Sequence, residues 1–176
     1  MITISDFNRI FHTHLDSDFK VLYAAKPPPS SAEIDAFCAK IECALPDDFR
    51  CVLANYCNGF YAEALENVWP DRSGGAFWMF QRGLIVYGLD GGLPSWIDLR
   101  HQTPEFRQLS ESRLTPCMKT ICDSDPYCFT PSGELVKWSH ETFEATPVGM
   151  DFFSAFDREL QRLRKNKERA KLELKN

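Results

Sequence analysis

Apolar residues recur at spacings of three and four in the first third of the chain and again at its end, whereas the middle alternates and is broken by glycines. Ile4, Phe7, Phe11 and Leu15 fall on one helical face, with Ser5 placed to cap it. Phe19 to Ala24 alternates loosely, as an edge strand would, and Pro27-Pro28-Pro29-Ser30-Ser31 then forces an extended connection because proline fixes its own backbone and donates nothing. From Ser31, a candidate cap, Ile34, Phe37, Cys38 and Ile41 form the stripe of a second helix that must end before Pro46. Asp47 and Asp48 occupy the first turn of a third, where carboxylates suit the exposed amides. Its stripe is Phe49, Val52, Leu53 and Tyr56, and Asn58-Gly59 supplies a left-handed stop.

Beyond Gly59 the pattern predicts strands at Ala76 to Phe80, Leu84 to Tyr87 and Ser95 to Leu99. Turn chemistry at Ser73-Gly74-Gly75, Gln81-Arg82-Gly83 and Asp90-Gly91-Gly92 punctuates them into an antiparallel meander. Residues 100–114 read as a short helix. Tyr127 to Trp138 reads as a hairpin about Pro131-Ser132-Gly133. Met150 to Leu174 carries Phe152, Phe153, Phe156, Leu160 and Leu163 on one face before turning into charge, so its front half is expected to dock and its back half to be solvated.

Composition narrows the class. The 176 residues are 44% hydrophobic and 13% aromatic, enough to bury a single-domain core without disulfides or a metal. The stretch MITISDFNRIFHTHLDSDF lacks a basic start, an apolar run and a small-residue cleavage site, and the most apolar region, Ala76 to Leu89, is interrupted by Gln81-Arg82-Gly83. A cytoplasmic, non-membrane protein is expected. The 7 cysteines fit a reducing compartment: they are irregularly spaced, no CxxC pair exists, and thiols of this kind serve as small buried hydrophobes. The net charge of −5 is uneven, because residues 157–176 hold eight of the 20 bases and only four of the 25 acids. The preceding 156 residues are therefore about −9, which argues against binding nucleic acid.

Candidate chemistry is sparse. Gly91-Gly92 lacks the lysine and helix of a phosphate loop and reads as a turn. His12 and His14, two apart on a helix, cannot share an ion and read as solvated. His101 and His140 leave a Cys–His nucleophilic pair open without selecting a cysteine. Asp90, Asp98 and Asp123-Ser124-Asp125 are either turn-forming aspartates or an acidic rim for a basic partner. Of Trp69, Trp78, Trp96 and Trp138, any left exposed would mark an interface. The tail RELQRLRKNKERAKLELKN intersperses acids among its bases and reads as a solvated helix end.

Taken in order, the helix Ser31 to Cys43, the corner Leu45-Pro46-Asp47-Asp48-Phe49, the helix ending in Asn58-Gly59, the hairpin Tyr127 to Trp138 with its continuation Ser139-His140-Glu141, and the Phe-rich last helix from near Asp151 resemble the SUKH superfamily. The likeness is to its Smi/Knr branch, named after a cell-wall assembly regulator, and it covers about residues 31–163, three-quarters of the chain. Residues 1–30 would be an N-terminal extension and 164–176 a charged helix end. The resemblance implies an α+β single domain, a twisted, mainly antiparallel sheet covered by N-terminal helices and a C-terminal helix. It also implies an immunity protein, a monomer or homodimer without catalytic residues, cofactor or metal, that neutralises a cognate toxin domain such as a basic nuclease or deaminase. An acidic and aromatic surface carrying Asp90, Trp96, Asp98, Asp123 and Asp125 is the expected contact. A regulatory interaction scaffold and a Cys–His enzyme are the alternatives.

Overall fold

The computed structural model describes residues 3–22, 27–56, 58–69, 82–89, 92–121 and 123–173. The elements run α1 (Ile4–His14), β1 (Phe19–Leu22), α2 (Ser31–Ile41), α3 (Asp47–Cys51), β2 (Phe60–Ala64), β3 (Gly83–Val86), α4 (Leu99–Ser110), β4 (Thr115–Thr120), β5 (Tyr127–Phe129), β6 (Leu135–Trp138), β7 (Ala145–Pro147) and α5 (Phe152–Glu173). The strands form a seven-stranded sheet in sequential order, every pair antiparallel. This is the expected α+β single-domain fold, with helices flanking the sheet.

Register separates the two sheet faces, because successive side chains along a strand point opposite ways. Phe60, Val86 and Met118 stand in line across β2, β3 and β4, as do Tyr61, Ile85 and Lys119 on the other face. The first face is closed. Phe60 meets Phe156 of α5 at 5.5 Å and Phe11 of α1 at 5.8 Å, and Phe7 of α1 meets Phe153 at 4.9 Å. Phe152 packs against Phe49 of α3 and Phe129 of β5 at 4.8 and 6.2 Å. On the second face a smaller cluster of Leu114, Cys128, Val136 and Trp138 lies under Phe106 of α4.

The caps differ from the sequence reading by one or two residues. Thr3 with Asp6, not Ser5, makes the capping box of α1, and Ser30 with Glu33, not Ser31, that of α2. The Pro46 corner starts α3 at Asp47 as expected, and the chain then widens into a π-helical turn over Val52–Tyr56 that buries Val52 and Leu53. Asp48 does more than suit its own helix dipole: its carboxylate accepts from Phe49 N at 2.8 Å and from Phe153 N, at the start of α5, at 2.9 Å. Asn58 is likewise not only a stop. It is 1% exposed, and its side-chain amide bonds both the carbonyl and the N–H of Leu89. A Cβ on Gly88 would stand 2.3 Å from the Asn58 carbonyl oxygen, so only glycine lets these two backbones meet.

Four expectations are corrected. Ser95 to Leu99 is not a strand but a turn leading into α4, whose cap is Asp98. β2, β4 and β7 lie where the pattern marked no strand. Residues expected as an N-terminal extension build β1 into the sheet and put Phe7 and Ile10 in the core. The back half of α5 is not simply solvated, since Lys167 and Ala170 are buried. The Ala76 to Phe80 strand, the Ser73-Gly74-Gly75 turn and Trp78 lie outside the described residues.

The Lys167 side chain is 0% exposed, and its ammonium meets Asp16, Asp18 and Glu168 at 2.7, 3.0 and 2.6 Å. Enclosure works against its charge, yet the three carboxylates hold its pKa above the ordinary lysine value. Those carboxylates are themselves 21–53% exposed, so solvent screens part of the attraction. Lys167→Met should therefore cost about 2–3 kcal/mol, below the ~3–5 kcal/mol of a fully buried pair. Urea unfolding of the two proteins measures this. Asp48→Ala should cost about 2 kcal/mol and Asp48→Asn roughly half that, because the amide keeps one of the two acceptor oxygens. Equal losses for the two variants would show that the single hydrogen bond the amide can keep contributes nothing.

Candidate functional site

The less covered face of the sheet carries the aromatic and polar residues with no role in the main core. Three rings run in a line: Phe106 of α4 meets Trp138 of β6 at 5.1 Å, and Trp138 meets Phe143 at 5.8 Å, each pair edge to face. Phe143 is 63% exposed and sits at φ 57°, a left-handed backbone that bulky residues avoid. Leu109, 67% exposed, extends the apolar strip along α4. Between α4 and β4–β6 lies a groove of about 280 Å³ whose walls include Tyr87, Glu105, Phe106, Leu109, Lys119 and Trp138. The Trp138 indole nitrogen, buried at this groove, has no hydrogen-bond partner among the described residues. Burying an N–H unpaired costs on the order of 1–3 kcal/mol.

Of the five expected contact residues, two adjoin this groove. Ser124 lines it, and Asp123 and Asp125 flank Ser124. Their charges are largely spent within the molecule. Asp123 accepts from Thr120 Oγ1, Asp125 N and Lys137 Nζ, and Asp125 accepts from the backbone N–H and the ring Nδ1 of His140. Trp96 is 40% exposed and meets Tyr61 edge to face at 5.8 Å, while Tyr61 shares the sheet face of Lys119. The preceding carbonyl, Ser95 O, accepts from Gln102 of the groove wall. Asp98 is corrected: at 2% exposure it cannot form a contact rim, and its carboxylate accepts from Arg100 N as the α4 cap. Asp90 lies outside the described residues.

Sequence reasoning missed Phe143, Leu109, Glu141 and Glu144. All four are exposed, and Glu141 and Glu144 flank Phe143 in the connection to β7. The available signal was a lone phenylalanine in the polar run His140-Glu141-Thr142-Phe143-Glu144, just after a hairpin.

Other chemistry is subdued. Burial pushes the thiols of Cys43, Cys117 and Cys128 up, away from the thiolate a nucleophile needs. No hydrogen bond joins a cysteine to a histidine among the described residues, and Cys57 and Cys122 lie outside them. Asp16, Asp18 and Glu168 bring three carboxylates together, but the Lys167 ammonium already sits among them. His14 is buried against Asp157 at 2.7 Å, not solvated, and His12 is exposed. Among the described residues no helix is long and apolar enough to cross a membrane. No family model, curated protein or solved structure matches the chain.

The Asp125–His140 pair, 2.6 Å apart, gives this edge a pH dependence. The bond to Asp125 raises the His140 pKa; for Asp125, burial works upward, but the His140 backbone and ring outweigh it and lower the pKa. The raised histidine stabilises fully below its unfolded value, and that contribution fades as pH rises through its folded value. The lowered aspartate stabilises above its unfolded value and loses that as pH falls through its folded one. The pair is thus strongest between the two, in mildly acidic solution. In Asp125→Asn the His140 pKa, followed by proton NMR of the ring, should fall back toward that of a free histidine.

Proposed function

We propose that this chain is a non-catalytic inhibitor of the SUKH, Smi/Knr-type kind, an immunity protein that binds a cognate toxin domain in the cytoplasm and covers its active site. The observation that carries the reading is the exposed aromatic strip on the less covered sheet face. A left-handed, solvent-facing Phe143 stacked edge-on against Trp138 is a costly arrangement for a free surface, and aromatic anchors of this kind dominate binding energy at protein interfaces. Leu109 extends the strip along α4.

The partner is read as basic. Glu105, Glu141 and Glu144 are exposed around the rings, and residues 1–156 carry about −9. Complementary charge speeds encounter and rejects wrong partners, while the rings hold the complex. Nuclease and deaminase domains, which must attract phosphates, fit this description. The Cys–His alternative is weakened by the raised thiols of Cys43, Cys117 and Cys128.

Co-expression with C-terminal domains of large secreted proteins encoded beside this chain tests the proposal. One such domain should poison cells alone and spare them when this chain is present. Phe143→Ala should weaken that complex at least tenfold, chiefly through faster dissociation, and Glu141→Lys with Glu144→Lys should slow association at low salt. Absence of rescue for every neighbouring domain would count decisively against immunity.

A further inference from the structure

Helix α4 has a second face. Arg100, Thr103, Pro104 and Arg107 recur at helical spacing on the side away from the ring groove and look onto Phe37, Lys40 and Ile41 of α2. Two adjoining cavities of about 300 and 220 Å³ follow this seam and share Phe37, Lys40 and Arg100, with Pro28 and Pro29 closing the outer one. Their size suits a small molecule.

The charges in the seam are under-compensated. Arg107 donates to the carbonyls of Leu114 and Arg113 and to Thr115 Oγ1 at 3.1, 2.9 and 3.2 Å, all neutral acceptors. Neither Arg107 nor Lys40 pairs with a carboxylate among the described residues. Arg100 has Asp98 at 3.3 Å, and Glu33 at the outer end is tied into the Ser30 capping box. Deep in the seam Thr103 is 1% exposed, and its hydroxyl has no partner among the described residues. A concavity with two cations outside any carboxylate pair, a third shared with Asp98, and an unsatisfied buried hydroxyl, set in an acidic body, is arranged for an anion.

We propose that the α2–α4 seam binds a phosphate ester of nucleotide size, its phosphate held by Lys40, Arg107 and the Thr103 hydroxyl and its ring laid against Phe37 and the Pro28–Pro29 wall. Several cationic and hydroxyl donors match a dianion with three terminal oxygens better than a single carboxylate. The acidic surroundings disfavour a polyanion and leave a compact ligand as the occupant. The site is independent of the ring strip and of any toxin.

The test is calorimetric titration of the full chain at low salt with AMP, adenosine and inorganic phosphate. AMP should bind at least tenfold tighter than either fragment. Lys40→Gln, at an exposed position where folding is not at risk, should weaken AMP at least fivefold with an unchanged melting temperature, and Thr103→Val at least threefold. AMP binding no tighter than adenosine, or indifferent to Lys40→Gln, would overturn the site. AMP binding no tighter than inorganic phosphate would overturn the ring contact and with it the nucleotide-sized ligand.

Discussion

Phe152 touches Phe49 on one side and Phe129 on another, and this single ring ties the Pro46 corner, the β5–β6 hairpin and the start of α5 into one body. The geometry works only if α5 begins at that point, and Asp48 fixes it there by accepting the Phe153 amide while Asp151 accepts that of Ser154. From this start α5 lays Phe156, Leu160 and Leu163 on the closed face and ends with Lys167 clamped between Asp16 and Asp18. The helix is therefore held polar at both ends and apolar between. Register along it is set by the caps and the clamp, because apolar contacts alone would tolerate sliding.

Concentrating the large rings on one face leaves the other free to vary. Among the described residues the smaller cluster, on the second face, is Leu114, Cys128, Val136 and Trp138 with Phe106 over it. Phe143 and Leu109 can then stay exposed without loss to the core. A scaffold that keeps its large rings on one face can change residues on the other with little loss to that core. Helix α4 extends the same logic, turning an acidic and aromatic stripe to the groove and a basic one to α2.

The helices were legible because a 3.6-residue period survives over three or four turns and needs no knowledge of partners. The hairpin Tyr127 to Trp138 was legible from its turn residues. The strands β2, β4 and β7 were not: Phe60–Ala64 has alanines at two of its core-facing positions, Thr115–Thr120 is buried almost throughout, and Ala145–Pro147 is exposed throughout, so none alternates in a readable way. Ser95 to Leu99 failed for a related reason. Its apolar alternation, Trp96 apart, belongs to the lead-in of a helix, and only the Asp98 cap separates the two readings. Of the residues expected from sequence, Asp123 and Asp125 adjoin the groove, whereas Phe143 was not among them, and its left-handed backbone is demanded by nothing in the local residues.

Charge is where the sequence misled most, and the reason is pairing. The C-terminal bases read as a solvated helix end, yet Lys167 and Lys171 are engaged by Asp16 and Asp18, and Arg164 donates to the Thr13 carbonyl. Asp123 and Asp125 read as turn-formers or as an acidic rim, and Lys137 and His140 pair with them. Counting charges along the chain treats each as solvent-facing, whereas folding cancels those that meet and leaves the remainder to set the outer field. Among the described residues Glu105 lines the groove on one side of α4 while Arg100 and Arg107 line the seam on the other, so α4 carries opposite charges on opposite sides. That separation requires α4 to be rigid and well capped. Asp98 is therefore more consequential as a buried cap than it would have been as an exposed contact.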